Sequence, residues 1–364
     1  MKFKLLLLFL VLSGFSIYSK EPVVFIHGIK GSTLLDEDNL KVWLTLGQSL
    51  GINSPNLSLP IDGNKEKQIK VGGILDSITV IPFLYKEKIY SPWLEASAEN
   101  YGELFYPFVY DWRKNNLISL EQLKEFVKQK FELNGKKKLH IVGHSMGGML
   151  GLALLHEAPE YVASLVIVSS PLRGGIGFLP DLHIGVPNGF NSKILRPEVV
   201  GTFPSIYTFF PEDTREFFKS EDDKPMSIDL YSVNGWKENQ LGLYSKPFTS
   251  YKQEEYNSFL EKTLVEAKKF RSMLKFKKIS YPPILVINSK KHQTLSTVKL
   301  KNGKWDFESE KKYGGDNRVL EKSTIPDSGI PHEVYSTEAE HAAILNDPKV
   351  ISAIKGFQEK ISEK

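Results

Sequence analysis

The serine of Gly143-His144-Ser145-Met146-Gly147 follows an apolar run, Leu139-His140-Ile141-Val142, and precedes a helix-forming stretch that begins near Gly148. Strand, tight turn and helix in that order build an elbow that lifts a serine hydroxyl clear of the backbone. Gly143 and Gly147 are small because the neighbouring elements must pass close to the strained turn. The helix that starts after Ser145 turns its positive end toward any negative charge forming there. A serine hydroxyl is a poor nucleophile near neutral pH, so a histidine must take its proton and a carboxylate must orient that histidine.

An elbow of this kind implies the chain order serine, acid, histidine. Of the eight histidines, only His332 and His341 lie late enough. His341 sits after a candidate strand and at the mouth of the closing helix, so it is the expected base. His332 follows Pro331 and reads as a loop residue. Asp316, in Gly314-Gly315-Asp316-Asn317-Arg318-Val319, is the expected acid, because it follows the strand around 283–288 and its glycines permit a tight turn. Asp327, in Pro326-Asp327-Ser328-Gly329, reads as surface turn chemistry, and Asp306 belongs to a hairpin. A tetrahedral intermediate also needs backbone donors for its oxyanion. Those expected are the amide of Met146 and, from the loop His27-Gly28-Ile29-Lys30-Gly31, the amide of Ile29. His144 reads as a packed elbow residue, and Tyr110-Asp111-Trp112-Arg113 as an ion pair with a stacked indole. None of these steps requires a metal or an organic cofactor.

The elements that must position these residues are legible as apolar runs. Strands are expected at 22–26, 104–110, 138–142, 163–168, 283–288 and 333–335. Helices are expected at 119–133 (capped by Ser119, stopped by Gly135), 148–157, 258–274 and 341–357. Alternation of this kind predicts an α/β architecture: a mostly parallel central sheet with helices on both faces. Asn302-Gly303 between alternating residues predicts a hairpin. Two stretches interrupt the rhythm, an early insertion at about 32–100 and a Gly-, Pro- and aromatic-rich region at about 174–255 that reads as a cap or lid. The aromatics of 203–218 (Phe203, Tyr207, Phe209, Phe210, Phe217, Phe218) fit either the cap's own core or a lining for acyl chains.

The chain has 364 residues and no cysteine, which excludes a thiol nucleophile, thiolate metal sites and disulfide bonds. A hydrophobic fraction of 41% suffices for a large core, and a net charge of +4 with interspersed charges leaves no nucleic-acid footprint. Lys2 and Lys4 before the apolar run 5–12, with small residues from Ser13 to Ser19, read as a signal peptide at about 1–19. That implies export to the periplasm, outer surface or medium. The remainder, 20–364, is expected to form one domain carrying the two insertions.

Together, Pro22–Ser32, Val42-Trp43-Leu44, Tyr110–Arg113, Gly143–Gly148 and Gly315–Val319 resemble the lecithin:cholesterol acyltransferase-like branch of the α/β-hydrolases, over about 22–357. The resemblance implies an α/β-hydrolase fold and a lipase or acyltransferase acting on ester bonds of phospholipids or other acylated lipids. It also implies transient contact with a lipid surface. Its nucleophile, acid and base match Ser145, Asp316 and His341, and its oxyanion donors match the amides of Ile29 and Met146. Relatives usually read Gly-Asp-Gly-Thr-Val where this chain carries Asn317 and Arg318, and Arg318 stands where its guanidinium could pair with Asp316. A general esterase, deacylase or thioesterase, or a silent binding fold, is the alternative.

Overall fold

The computed structural model describes residues 21–62, 69–81 and 85–363; the segment expected as a signal peptide lies outside them. Six strands form the central sheet: β1 (Val23–Ile26), β2 (Phe105–Phe108), β3 (Leu139–His144), β4 (Val162–Val168), β5 (Ile284–Ser289) and β6 (Glu333–Thr337). They run all parallel in the order β6-β5-β4-β3-β1-β2. Parallel strands covered on both faces need apolar residues at every position, which explains why β1, β3 and β4 are continuous runs rather than alternating ones. Val24, Ile26, Ile141 and Leu165 enter the core on one face, and Val23, Phe25, Val142 and Val166 the core on the other.

Five longer helices flank the sheet: α1 (Ser91–Tyr101), α2 (Asn116–Leu133), α3 (Met146–Glu157), α4 (Gln253–Ser272) and α5 (Pro348–Ser362). Four starts differ from the sequence expectation, that of α3 by only two residues. Helix α2 is capped by Asn115, whose Oδ1 accepts from the Leu117 amide at 2.8 Å, and Ser119 is buried inside it. Asparagine caps as well as serine does, so the Asn-Asn pair was the better start. Helix α4 begins five residues early. The closing helix is two elements, a 3₁₀ turn at His341–Asn346 and then α5, because Pro348 has no amide with which to continue a helix and sits at the first turn of a new one.

The early region forms a three-stranded antiparallel sheet (Lys41–Trp43, Ser32–Leu35, Lys70–Ile74) and a two-stranded one (Ser77–Ile81 with Tyr85–Lys88). Residues 174–255 form short helices and two-residue strands. The hairpin of Val298–Lys301 and Lys304–Asp306 turns through Asn302 (φ 50°) and Gly303 (φ 69°), both left-handed as a two-residue turn of this kind requires. It does not extend the central sheet: Val298–Lys301 pairs in parallel with Phe218–Lys219. All six aromatics of 203–218 are buried, and Tyr207 and Phe210 meet Trp236 edge to face. They belong to the same core as one face of the central sheet, and none lines the cavity described below.

Beyond β2, Tyr110–Arg113 locks the sheet to the early region. Arg113 grips Asp111 through Nε (2.9 Å) and Nη2 (2.6 Å), and its Nη1 donates to the Leu57 carbonyl at 2.9 Å. The Trp112 indole is not stacked as expected: it meets Trp43 and Phe203 edge to face and donates to the Ser32 carbonyl. Removing one member of a buried pair leaves the other charge desolvated, at about 3–5 kcal/mol. Arg113→Met is therefore expected to lower the free energy of unfolding by about that amount. Urea titration checks it, and an unchanged midpoint would show that the pair is not holding these elements together.

Candidate active site

The carboxyl ends of β1 and β3 meet where Ile26 lies opposite Gly143. There β3 ends and the chain turns through Ser145 at φ 55°, ψ −120°, a region that side-chain-bearing residues rarely occupy, and α3 begins at the next residue. Only glycine fits around this turn. A Cβ on Gly147 would lie 2.1 Å from the Ile26 carbonyl oxygen, and one on Gly143 would lie 2.4 Å from that of Gly147. The turn is tied down by the Ser145 amide, which donates to Val168 at 2.8 Å.

His341 opens the 3₁₀ turn that follows β6, and Asp316 follows the strand Lys311–Gly315. The structure brings the three residues together. His341 Nε2 lies 3.0 Å from Ser145 Oγ, and His341 Nδ1 lies 2.7 Å from Asp316 Oδ2. The His341 amide also donates to the Asp316 carbonyl at 2.8 Å, so acid and base are linked through the backbone as well. His332 bonds only to its own loop at Ile330, Asp327 accepts from the Phe276 amide, and Asp306 accepts from its hairpin. None joins the cluster.

Asp316 is almost fully buried. Burial alone would raise its pKa. The facing His341 charge and hydrogen bond, with the Val319 amide, outweigh burial and bring it to about 2. Oδ1 accepts from the Arg318 and Val319 amides at 2.9 and 2.7 Å. Asn317 sits at φ 80°, and asparagine tolerates that left-handed conformation. Arg318 does not pair with Asp316. Its guanidinium turns away, forks onto Asp181 at 2.6 and 3.1 Å and lies over the Phe178 ring at 4.2 Å.

His144 is buried beside the cluster, and its Nε2 hydrogen donates to the His341 carbonyl at 3.1 Å. That leaves Nδ1 to accept from the Tyr90 hydroxyl at 2.7 Å, and Tyr90 accepts in turn from the Gly28 amide at 3.1 Å. Burial, with the His341 charge adding to it, lowers the His144 pKa to about 3, so this ring stays neutral and does not compete as a base. Tyr90 thus couples the glycine loop to the backbone of His341. Nothing in the sequence pointed to it, since a tyrosine in an insertion carries no motif.

Met146 directly follows Ser145 and Ile29 lines the same cavity as Ser145, and the amides of both donate to no backbone acceptor among the described residues. That cavity, of about 390 Å³, has walls that include Trp43, Leu75, Tyr90, Phe178 and Val186, with Ser145 and His341 among its lining residues. A larger cleft of about 1070 Å³ lies between the 36–62 region and Tyr251 and contains none of the three clustered residues. Chemistry, rather than size, selects the smaller one.

The family model for the α/β-hydrolase fold matches residues 112–313. The chain belongs to this family. It is 25% identical over 264 residues to a phospholipase A(1) of Arabidopsis thaliana, covering 58% of this chain and 59% of that protein. It is 28% identical over 120 residues to a lecithin-cholesterol acyltransferase-like protein of the same plant, covering 29% of this chain and 22% of that one. These relatives agree with the branch that the motifs indicated. The chain spans 22% to 59% of the length of the first curated relatives it matches. A crystal structure of the Tle4–Tli4 complex superposes with a TM-score of 0.57 at 13% identity, covering 95% of this chain and 99% of the other, which is a likeness of fold.

Proposed function

We propose that this α/β-hydrolase is an exported serine lipase or acyltransferase that cleaves ester bonds of phospholipids or other acylated lipids through an acyl-enzyme. The observation that carries the reading is the continuous relay Ser145–His341–Asp316 opening into a cavity walled largely by apolar side chains. Neutral His341 carries its proton on Nδ1, held by Asp316, and accepts the Ser145 proton at Nε2 as Oγ attacks the ester carbonyl. The carbonyl oxygen gains negative charge and rests on the Ile29 and Met146 amides, with the start of α3 behind them. Collapse of this intermediate breaks the bond to the leaving oxygen, which takes the proton from His341 Nε2. Water or a second alcohol then gives its proton to the same nitrogen, attacks the acyl-serine and restores Ser145.

Lipid substrates imply contact with a lipid surface. Support comes from Phe190 and Ile52, which are 83% and 76% exposed. The Phe190 amide is bound to the Ser49 carbonyl, in a loop whose Asn188 lines the cavity, so the apolar tips stand near its mouth. Among the described residues no helix is long and apolar enough to cross a membrane. Export rests on the charge and hydropathy pattern of 1–19 alone. The test is activity against a dispersed phospholipid as its concentration passes the aggregation point. A steep rise there is expected; turnover confined to soluble esters would favour the general-esterase reading instead.

A further inference from the structure

We propose that Lys30 binds an anionic group of the ester substrate, a phosphate or carboxylate, and so favours substrates that carry this anion over those that lack it; this rests on the hydrolase reading of Ser145. The carrying observation is the lone position of its ammonium. Three charged side chains line the cavity: Lys30, Arg318 and Glu340. Arg318 is committed to Asp181 by two hydrogen bonds, and Glu340 is turned outward to His292, 3.5 Å from its Nδ1. Lys30 has no hydrogen-bond or ion-pair partner for its side chain among the described residues, although it is half-buried.

The backbone gives an independent reason to look here. Lys30 lies at φ 66°, in the loop Gly28-Ile29-Lys30-Gly31. A glycine would occupy that left-handed position without strain, yet the chain holds a long cationic side chain there, next to the Ile29 amide. Burial lowers the pKa of the amine; Asp181 pulls it back up and Arg318 pushes it down again. A bound anion would replace the lost water and hold the charge. Lysine suits phosphate or carboxylate as a point charge. A head-group phosphate and an acyl-chain carboxylate present that same chemistry a few bonds from an ester.

The experiment uses the full chain and two matched pairs of substrate. One pair is phosphatidylglycerol and diacylglycerol with identical acyl chains, which differ in the head-group phosphate, each at low mole fraction in neutral-detergent micelles so that surface charge stays small. The other is soluble: 4-nitrophenyl hydrogen glutarate and 4-nitrophenyl butyrate. The readout is the ratio of kcat/KM, anionic over neutral, for the wild type, Lys30→Asn and Lys30→Arg. Asparagine accepts the left-handed backbone, so it removes the charge without disturbing the loop. In Lys30→Asn the ratio is expected to fall about tenfold, the loss of one charge-assisted hydrogen bond, while Lys30→Arg retains it. A fall in the lipid pair alone identifies a head-group phosphate, and a fall in the soluble pair identifies an acyl carboxylate. A ratio indifferent to both substitutions in every pair overturns the proposal, as does an equal loss on charged and neutral substrates, which is what a merely structural lysine would give. If neither lipid is cleaved but the soluble ratio still depends on Lys30, the lipid reading fails and this one stands.

Discussion

Ser145→Ala is expected to lower kcat toward 4-nitrophenyl butyrate by roughly 10⁶-fold, the scale of losing the nucleophile of a serine hydrolase. The substitution removes one oxygen and leaves the elbow's backbone, glycines and helix start in place, so circular dichroism and the unfolding midpoint should barely move. The larger test is non-additivity. Because His341 Nε2 has its role only through Ser145 Oγ, 3.0 Å away, Ser145→Ala/His341→Ala should be no slower than either single variant within a few-fold. Residual activity would come from the Ile29 and Met146 amides and from binding alone. A Ser145→Ala enzyme that kept its rate, or a double variant slower by the product of the single losses, would show that these residues do not act as one unit.

Some of this site was legible in the chain and some was not, for a physical reason. The elbow is a local device: strand, glycines and helix lie within about fifteen residues, and the steric demand on Gly143 and Gly147 is set by their immediate neighbours. That Asp316 and His341 would lie beside Ser145 could be inferred because chain order restricts the choices, even though Asp316 is 171 positions from Ser145. The partner of Arg318 could not, because Asp181 lies in the irregular stretch 174–255, where no periodicity fixes a position. The same holds for Tyr90, which reaches His144 across 54 residues, and for the hairpin, whose turn was evident while its neighbour Phe218–Lys219 was not. Helix starts were misjudged where two plausible caps competed, as at Asn115 and Ser119. The Asp347-Pro348 break was in plain view, since aspartate as cap and proline at the first turn form a strong start signal.

Asp316→Asn should be nearly as damaging as losing the serine, and the hydrogen bonds around the carboxylate say why. Oδ1 accepts from the Arg318 and Val319 amides, so an asparagine placed there must keep its carbonyl oxygen on that side. Its NH₂ then faces His341 Nδ1, which is forced to accept. The imidazole proton moves to Nε2, the nitrogen that has to receive the proton of Ser145, and that nitrogen can no longer act as a base. A fall in kcat of about 10⁴-fold is expected, the scale of a wrong tautomer in a serine–histidine–aspartate relay. The same carboxylate leaves a mark on stability. Its pKa is depressed from an ordinary 3.8 to about 2, so the ionised form favours the folded state. That contribution, about 2 kcal/mol, is complete above roughly pH 5 and is lost as pH falls toward 2. Asparagine has no proton to gain, so the variant should lack this share of acid sensitivity while being less active at every pH. Unfolding curves for both proteins from pH 7 to pH 2 measure it. Parallel curves would mean that Asp316 is not held ionised by His341, and the tautomer argument would fall with them.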